Sequence, residues 1–293
     1  MRAGSEIVVP GSIGNVGPGF DTLGLAVALY LSVRITRIVQ DGRGEVTFRF
    51  IDAKPLGDNR IASAFDLVGP RKGRPASIEV EVRSEIPQRA GLGSSAAATV
   101  AGLRLREMID RRRLSIERFL AAGSTLEGHP DNIAAIVFGG LTNSCVSPSG
   151  RIAVGRWSWP DRWRVIVATP DARLETAISR RALPPTLPFD DVRFNLQRLG
   201  LLLHAVQARR ADELAEALAD RAHQPYREHL VPGLRAALAL RHADVMGACL
   251  SGSGASVAFF ARRNFTGVRR AIEKLYERER LPCKVRVLRV HQS

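Results

Sequence analysis

Across Pro87-Gln88-Arg89-Ala90-Gly91-Leu92-Gly93-Ser94-Ser95-Ala96-Ala97-Ala98, the chain is predicted to turn from a strand into a helix. Glycines allow a backbone to approach a ligand closely, and the free N–H groups at a helix N-terminus form an anion site with the helix dipole behind them. A triphosphate would fit such a loop, with Gly93 close to the nucleotide. The loop is not a Walker A sequence, because no Lys-Ser or Lys-Thr follows the glycines, and it is not G-x-G-x-x-G either. Taken alone, it is equally compatible with a tightly packed helix cap.

The chain before this loop is predicted to be mostly strand, and the chain after it to mix helices with strands. Predicted strands lie at residues 7–9, 26–39, 47–51, 78–82, 163–169, 257–260 and 285–290, and predicted helices at residues 94–108, 115–125, 191–208, 212–222, 233–241 and 268–278. The first strand is predicted to run into a bend at Pro10, and Ser115 is a predicted N-cap. This order indicates an α+β fold in which helices cover one face of a largely antiparallel sheet.

Length and composition limit the classes of protein that need to be considered. The 293 residues predict two domains, which we place at residues 1–160 and 161–293. The net charge of +14 favours a phosphorylated or polyanionic partner, although the arginines are scattered along the chain. The three cysteines are widely spaced and form no C-x-x-C pair, which is typical of reduced thiols. Pro10 and Gly11 interrupt the first apolar run, and no window approaches the roughly 20 apolar residues of a membrane span. We therefore expect a cytoplasmic protein without a membrane partner.

Three further segments carry polar chemistry or additional glycines. One is Pro10-Gly11-Ser12-Ile13-Gly14-Asn15-Val16-Gly17-Pro18-Gly19-Phe20-Asp21 near the start, and another is Ser251-Gly252-Ser253-Gly254-Ala255-Ser256 near the end. The third, Glu127-Gly128-His129-Pro130-Asp131-Asn132, places two carboxylates, an imidazole and an amide within six residues. Such a set could bind a metal and a polar substrate together. The alternative is a surface turn in which Asp131 and Asn132 cap the following helix.

The loop before the helix has the pattern Pro-x-x-x-Gly-Leu-Gly-Ser-Ser-Ala, the phosphate-loop signature of the GHMP kinases. That family includes galactokinase, homoserine kinase, mevalonate kinase and phosphomevalonate kinase. The chain resembles it in all three glycine-rich motifs, in order and over nearly its whole length, although Ala255 stands where the family usually has proline. The resemblance implies a two-domain architecture, with an N-terminal ribosomal-protein-like α/β domain and a C-terminal ferredoxin-like domain.

The resemblance also implies that ATP is a substrate and that Mg²⁺ accompanies it. The residues implied to bind ATP are Pro87, Gly91, Leu92, Gly93, Ser94, Ser95, Ala96, Ala97, Gly252 and Gly254. Ser94 and Glu127 are the implied metal ligands, and Asp131 and Glu127 the implied catalytic residues. No lysine flanks Asp131, so we favour positioning and transition-state stabilisation over a committed general base, with Asp131 as the candidate for that role.

Within the family, residues 127–132 and the first motif resemble the homoserine kinase branch. This implies that the acceptor is L-homoserine, phosphorylated on its side-chain hydroxyl in a step of threonine biosynthesis. Residues implied to bind its amino group and hydroxyl are Asn15, Asp21, His129 and Asp131, and those implied to bind its α-carboxylate are Thr176, Arg180 and Arg227. Arginine suits that role because its planar guanidinium matches a carboxylate bidentately.

Two alternatives remain open at this point. A related kinase could act on mevalonate, shikimate or a sugar, because the arginines would meet the carboxylate of the first two equally well. Only the amino group of homoserine calls for an acidic pair such as Asp21 and Asp131. A nucleic-acid-binding module would suit the net charge, but an aromatic content of 6% without aromatic–basic interleaving argues against it, and we expect no nucleic-acid partner. A homodimer is left open.

Overall fold

The structure is a computed structural model that describes residues 2–70, 76–172 and 174–292, and the strands in those ranges form two sheets. The first sheet contains β1 (Glu6–Gly14), β2 (Leu23–Val39), β3 (Val46–Phe50), β4 (Ser77–Ser84), β5 (Leu141–Val146) and β6 (Ile152–Trp157). Its order is β3-β4-β2-β5-β6, and β1 pairs with the long strand β2. Only β3 and β4 run parallel among these described pairs. The long strand β2 therefore pairs with three strands, β1, β4 and β5.

Four helices belong to the same half of the chain: α1 (Arg60–Leu67), α2 (Ser94–Asp110), α3 (Ile116–Glu127) and α4 (Asp131–Phe138). Both α2 and α4 pack on β1 and β2. Gly102 lets α1 and α2 approach closely, because a Cβ there would lie 2.2 Å from the carbonyl oxygen of Ile61. Ser115 caps α3 as predicted, since its side chain accepts from the backbone N–H of Arg118. This packing fixes the position of the N-terminus of α2, which directly follows the glycine-rich loop.

The second sheet contains β7 (Arg164–Pro170), β8 (Val245–Leu250), β9 (Val257–Ala261) and β10 (Cys283–Leu288) in the order β10-β7-β9-β8. All of its pairs are antiparallel, and the α+β prediction is confirmed. The helices of this half are α5 (Thr176–Arg181), α6 (Phe189–Gln207), α7 (Leu214–Ala217), α8 (Gln224–Arg227), α9 (Leu234–Leu238) and α10 (Phe265–Arg278). No helix in the described part of the chain is both long and apolar enough to cross a bilayer.

The larger hydrophobic core is shared by the two sheets. Its members run from Ile7 in β1 to Leu288 in β10. Trp159, between the sheets in sequence, packs its ring 5.3 Å from Phe260 and 5.5 Å from Trp163, measured between centroids. The end of the chain returns to the first sheet, where the N–H of His291 donates to Ala26. The shared core and this hydrogen bond therefore fix the residues of one sheet in position relative to those of the other.

The structure departs from the sequence-based prediction at several elements. The first strand does not bend away at Pro10 but continues to Gly14, with a register shift at that step. A bulge tolerates proline because the missing N–H falls where the ladder is interrupted. The elements α1, α5, α8, β5, β6 and β8 were not predicted. The helix predicted at residues 212–222 is a single turn, because the Asp220 carboxylate takes the N–H groups of the next residues and competes with the helix.

Candidate active site

The three glycine-rich segments of the sequence lie against one another in the fold. The loop before α2 contacts β1, since the N–H of Ser12 donates to the carbonyl of Leu92 at 3.1 Å. The late motif contacts both neighbours: the Ser251 hydroxyl donates to Gly91 at 2.7 Å, and the N–H of Gly252 donates to Gly14 at 3.0 Å. The backbone path of the loop is therefore fixed by hydrogen bonds from two distant parts of the chain.

Gly91 and Gly93 are required by this packing. Both have left-handed backbones, with φ of +75° and +70°, which glycine adopts without strain. A Cβ on Gly91 would lie 2.1 Å from the carbonyl oxygen of Ser251, and a Cβ on Gly93 would lie 2.1 Å from Oγ of Ser12. Gly93 therefore has no room for a side chain, but the neighbour that fills the space is β1. Gly93 also lines the cavity described next, and its closeness to the nucleotide stays a prediction.

A cavity of about 440 Å³ adjoins the N-terminus of α2 and collects most of the predicted site residues. Those that line it are Asn15, Asp21, Pro87, Gly91, Leu92, Gly93, Ser94, Ser95, Ala96, Glu127, His129, Asp131, Thr176, Arg180, Arg227 and Gly252. Two predicted ATP-binding residues do not line it. Ala97 is fully buried in the core, and a Cβ on Gly254 would meet Val231 at 2.8 Å. Their places in the motif serve the packing of the loop.

A second cavity, of about 280 Å³, adjoins the first. Arg60, Arg89, Ser94 and Ser95 line both cavities, so the two form a continuous trough past the start of α2. The apolar part of the second wall is formed by Leu31, Phe50, Ala53, Pro55, Leu56, Ile61, Val82 and Ala98, and its polar part by Asp52, Asp58, Asn59, Ser84 and Gln88. An apolar wall with polar groups beside it is typical of a site for a small molecule, and a heterocyclic ring could be covered by it.

Sequence analysis missed this second cavity and the two arginines between the cavities. Arg89 donates to Glu175 at 3.0 Å and to the carbonyl of Leu56 at 2.9 Å, so it links the loop to both flanks of the trough. One signal in the sequence could have indicated the wall of the second cavity. Asn59 follows a Gly- and Asp-containing stretch and caps α1, a pattern that marks a helix start.

Asp131 is the first residue of α4, and its carboxylate is buried, with 1% of the residue exposed. One oxygen, Oδ1, is hydrogen-bonded to Nδ1 of His129 and accepts from the backbone N–H of Asn132 at 2.7 Å. The other, Oδ2, has no hydrogen-bond partner in the described part of the chain. A Cβ on Gly14 would lie 2.9 Å from Oδ2, so glycine at that position keeps space beside it. A buried acceptor left without a donor is costly and points to a ligand.

His129 is held by this carboxylate. Burial by itself lowers the pKa of His129, but the hydrogen bond and the charge of Asp131 outweigh that effect, and the pKa is raised above its usual value. The imidazole therefore gains a proton more readily than a free histidine and compensates the negative charge of the buried aspartate. Glycine at residue 128 and the short α3–α4 turn bring the two side chains together.

Glu127 ends α3 and faces the first turn of α2. Its Oε1 accepts from the hydroxyl of Ser95 at 2.9 Å and from the hydroxyl of Thr99 at 2.8 Å, and Nε of Arg60 lies 3.8 Å away. The hydroxyl expected beside it was that of Ser94, which lines both cavities but makes no such bond among the described residues. Every one of these contacts goes to Oε1, which leaves Oε2 available to a cation.

Asp21 and Arg180, assigned to different groups of the substrate, are bonded to each other. The two terminal guanidinium nitrogens of Arg180, Nη1 and Nη2, each donate to the Asp21 carboxylate at 2.8 Å, a bidentate pair that joins α5 to the first motif. Asp21 has a left-handed backbone, with φ of +53°, and its N–H donates to Oδ1 of Asn15. The Arg180 side chain remains 45% exposed and Asp21 30% exposed, so both groups are accessible from the cavity side.

Arg227 is a buried guanidinium, with only 2% of the residue exposed. It donates from Nε to the carbonyl of Ser179 at 3.3 Å, and from Nη1 to Gly252 and to Nδ1 of His223, both at 3.2 Å. None of the described carboxylates forms an ion pair with it. Burial, with the nearby charge of Arg180, lowers the pKa of Arg227 to about 10. The ring of Phe20 lies 5.3 Å below its guanidinium carbon.

The remaining predicted residues stabilise the surrounding loops. Nδ2 of Asn15 donates to the carbonyl of Gly252 at 2.8 Å, so its amide links the first and last motifs. The hydroxyl of Thr176 lies 3.3 Å from that of Ser253, which connects α5 to the same late motif. Both side chains still line the cavity.

Two groups of side chains could hold a metal ion. Ligand atoms of Asp21, His129 and Asp131 lie within 4.8 Å of one another, but the first carboxylate is paired with an arginine and the imidazole is bonded to Asp131. Magnesium prefers an octahedral shell of oxygen ligands and usually keeps several waters. Glu127, with hydroxyl groups around it, offers that donor chemistry, so the predicted metal position fits the residues present.

The chemical character of the trough changes from one end to the other. At one end of the trough lies an apolar slot, in the middle a helix N-terminus with hydroxyls and a carboxylate, and at the other end a buried cation and a buried carboxylate. A molecule with a heterocycle and a chain of phosphates matches the first two parts. A small zwitterion with a hydroxyl matches the third.

Comparison with known families gives two matches along the chain. Residues 59–140 match the model described as the N-terminal domain of the GHMP kinases, and residues 202–278 match the one described as the GHMP kinase C-terminal region. Among curated proteins, the homoserine kinase of Solibacter usitatus is 36% identical over 92% of this chain and 90% of its own length. The homoserine kinase of Moorella thermoacetica is 35% identical over 96% and 95%.

Solved structures share the fold over the whole chain. The crystal structure of homoserine kinase from Cytophaga hutchinsonii has a TM-score of 0.82 at 22% identity, covering 100% of this chain and 96% of that one. The mevalonate kinase of Methanococcus jannaschii has a TM-score of 0.68 at 13% identity and covers 99% of both chains. At these identities the likeness is one of fold.

Proposed function

The chain belongs to the GHMP kinase family, and we propose that it transfers the γ-phosphoryl group of ATP to the side-chain hydroxyl of L-homoserine. The products are ADP and O-phospho-L-homoserine, and the reaction is a step of threonine biosynthesis. One observation carries the proposal. The cavity is lined by Arg227, a buried arginine without a carboxylate partner among the described residues, and by Asp131, whose buried oxygen Oδ2 has no hydrogen-bond partner there. An amino acid with a hydroxyl at the end of its side chain complements both.

The nucleotide is expected to occupy the trough along its length. Its base would lie in the 280 Å³ cavity between α1 and the β2–β4 region, where an apolar wall can cover a heterocyclic ring. Its phosphates would pass over Ser94 and Ser95, toward the N-terminus of α2, whose free N–H groups and dipole favour negative charge. Arg60 and Arg89, which line both cavities, add positive charge along that path.

Magnesium would be held by Glu127 with the hydroxyl of Ser94 and the phosphates of ATP. Ser95 and Thr99 fix Oε1 of this carboxylate by hydrogen bonds, which keeps its orientation constant. When bound, the ion neutralises the charge on the transferring phosphoryl group and its leaving group. The protein contributes the anchored carboxylate and the helix N-terminus.

Homoserine would bind in the 440 Å³ cavity with its carboxylate toward the arginines. Arg227 is the principal partner because its charge is buried and unpaired, whereas Arg180 is already engaged with Asp21. Asp21 would take the ammonium group when that group enters beside the Arg180 pair. His129 and Asn15 complete the polar wall around the backbone of the amino acid.

The side-chain hydroxyl would then point to Oδ2 of Asp131. The hydroxyl oxygen forms a bond to the γ-phosphorus, the bond from that phosphorus to the β–γ bridging oxygen breaks, and ADP leaves. Asp131 orients the hydroxyl and is the group placed to accept its proton, because Oδ2 carries no other hydrogen bond in the described part of the chain. His129 and the N–H of Asn132 hold the opposite oxygen and fix the orientation of the carboxylate.

The test is release of ADP by the purified protein across a panel of acceptors: homoserine, serine, threonine, mevalonate, shikimate and galactose. Homoserine is expected to give the highest kcat/KM. The proposed acceptor is wrong if any other acceptor exceeds homoserine by more than about tenfold, which corresponds to about 1.4 kcal/mol of transition-state binding. A panel without any turnover would remove homoserine, and each of the other five compounds, as the acceptor.

A further inference from the structure

We infer that His223 is a positioning residue that holds Arg227 in place while leaving its charge free for the substrate carboxylate. This rests on the function proposed above. His223 precedes α8, and its side chain is completely buried. It lies between the buried guanidinium and the first glycine-rich motif, and the sequence analysis assigned a role to Arg227 in this segment but none to His223.

The hydrogen bonds of His223 determine which nitrogen carries the proton. Arg227 can only donate, so Nδ1 of His223 is the acceptor of the 3.2 Å bond from Nη1. Nε2 then carries the hydrogen and donates to the carbonyl of Gly17 at 2.8 Å. The ring is therefore neutral. Burial is also the main reason that the pKa of His223 is lowered.

A neutral acceptor has a specific advantage at this position. A carboxylate in its place would form an ion pair with Arg227 and compete with the carboxylate of the substrate. The imidazole instead fixes the direction of the guanidinium without cancelling its charge. The carbonyls of Ser179 and Gly252 act in the same way on the other bound N–H groups. Of the five N–H donors of Arg227, the two on Nη2 have no acceptor among the described residues and remain for a ligand.

His223 also connects this cation to the segment that binds the other end of the substrate. Its bond to Gly17 reaches the loop that carries Asn15, Phe20 and Asp21, and its ring lies 5.5 Å from that of Phe20. Asp220 stabilises the turn before α8, because its carboxylate accepts from the backbone N–H groups of His223 and Gln224 at 3.1 and 2.7 Å. The buried ring therefore helps to set the distance between the carboxylate-binding and ammonium-binding groups, together with the carbonyl of Gly252, which accepts from both Arg227 and Asn15.

The role predicts different results for three replacements of similar size. In His223→Asn the amide oxygen can take the place of Nδ1 and accept from Arg227. In His223→Gln the amide nitrogen can take the place of Nε2 and keep the bond to Gly17, but the acceptor for Arg227 is lost. His223→Asp matches the asparagine variant in size and places a negative charge against the guanidinium. His229→Asn, an exposed histidine of the same segment, is the control.

Steady-state kinetics with homoserine and ATP, together with melting temperature, separate the outcomes. We expect His223→Asn to raise the KM for homoserine less than tenfold, and His223→Gln and His223→Asp to raise it by about ten- to a hundredfold. The KM for ATP should stay within about twofold of wild type throughout.

If the asparagine and glutamine variants raise the KM for homoserine equally, or raise the KM for ATP as much, the inference is wrong and the ring only fills space. If the aspartate variant does not fold, the asparagine–glutamine comparison alone decides. A wild-type enzyme that does not turn over homoserine contradicts the proposed function instead.

Discussion

The phosphate loop and the acceptor pocket adjoin each other, but they are held in opposite ways. The loop at residues 87–93 is held by backbone contacts to β1 and to the late motif, and its glycines are needed because neighbours occupy the space of a side chain. The acceptor pocket is held by side chains with buried charge, namely Arg227 and Asp131. In the proposed function, the loop would recognise its ligand through shape and the helix dipole. The pocket would use a buried guanidinium without a carboxylate partner among the described residues, and a buried carboxylate with one oxygen bonded to His129 and the other without a partner there.

The difference predicts how each region responds to substitution. Changes in the loop should act on folding and nucleotide binding together, because the same contacts serve both. Changes in the pocket should affect the acceptor or the chemical step and leave ATP binding nearly intact. Buried charges without partners reduce stability, so pocket variants can even stabilise the protein while they remove activity.

The largest effect is expected for Asp131→Asn, which tests the pocket. The amide keeps the size of the side chain and can still accept from the N–H of Asn132, but it removes the charge that orients the hydroxyl and takes its proton. We expect kcat to fall about 100- to 10,000-fold with a small change in the KM for homoserine. Single-turnover measurement of ADP formation would report the chemical step directly. Full activity in this variant would remove Asp131 from the mechanism.

A smaller effect, on stability as well as on binding, is expected for Gly93→Ala, which tests the loop. The added Cβ would lie 2.1 Å from Oγ of Ser12 on a left-handed backbone. Overpacking of this kind costs about 1–3 kcal/mol. Chemical denaturation should show the loss, and affinity for ATP should fall with it. Ser12→Ala in the same chain removes the nearest atom and should restore part of both. Unchanged unfolding in Gly93→Ala would contradict the close contact with β1.

The smallest effect is expected in the pH dependence of stability, through the His129–Asp131 pair. The pKa of His129 is raised in the folded protein. A raised pKa contributes stability that is fully present below the unfolded value of about 6.5 and is lost as the pH rises through the folded value. The free energy of unfolding of wild type minus that of His129→Gln should therefore be larger at acidic than at alkaline pH. A difference that grows with rising pH would contradict the pairing.

The sequence allowed the loop region to be predicted more fully than the pocket. Gly91, Gly93 and the serines after them are neighbours in the chain, and their backbone requirement is local, so the pattern was recognisable without a structure. The family resemblance extended this to most of the residues that line the cavity. Ala97 and Gly254, which were also predicted to bind ATP, are closely packed and do not line the cavity.

For the pocket, the sequence predicted which residues take part but not how they contact one another. Nothing local in the sequence indicates that Arg180 bonds to Asp21, that Arg227 is buried without a carboxylate, or that His223 stands behind it. These relations arise from packing between α5, α8 and the first motif, which are far apart in the chain. The helix at Leu214–Ala217 was predicted too long, over residues 212–222, for a related reason, because the Asp220 side chain overrides helical periodicity.

The central claim is that the pocket selects an amino acid by pairing its carboxylate with Arg227. The most direct test compares kcat/KM for homoserine with that for 3-aminopropan-1-ol, which has the same amine and hydroxyl but no carboxylate, in wild type, Arg180→Ala and Arg227→Ala. Losing a hydrogen bond to a charged group costs about 1.5–3 kcal/mol, so Arg227→Ala should reduce the preference for homoserine by about ten- to a hundredfold or slightly more. Arg180→Ala should reduce it less, because that side chain is already paired. The amino alcohol should be used about equally by all three proteins. If the preference for homoserine survives in Arg227→Ala, the carboxylate is bound elsewhere and the assignment of the pocket is wrong.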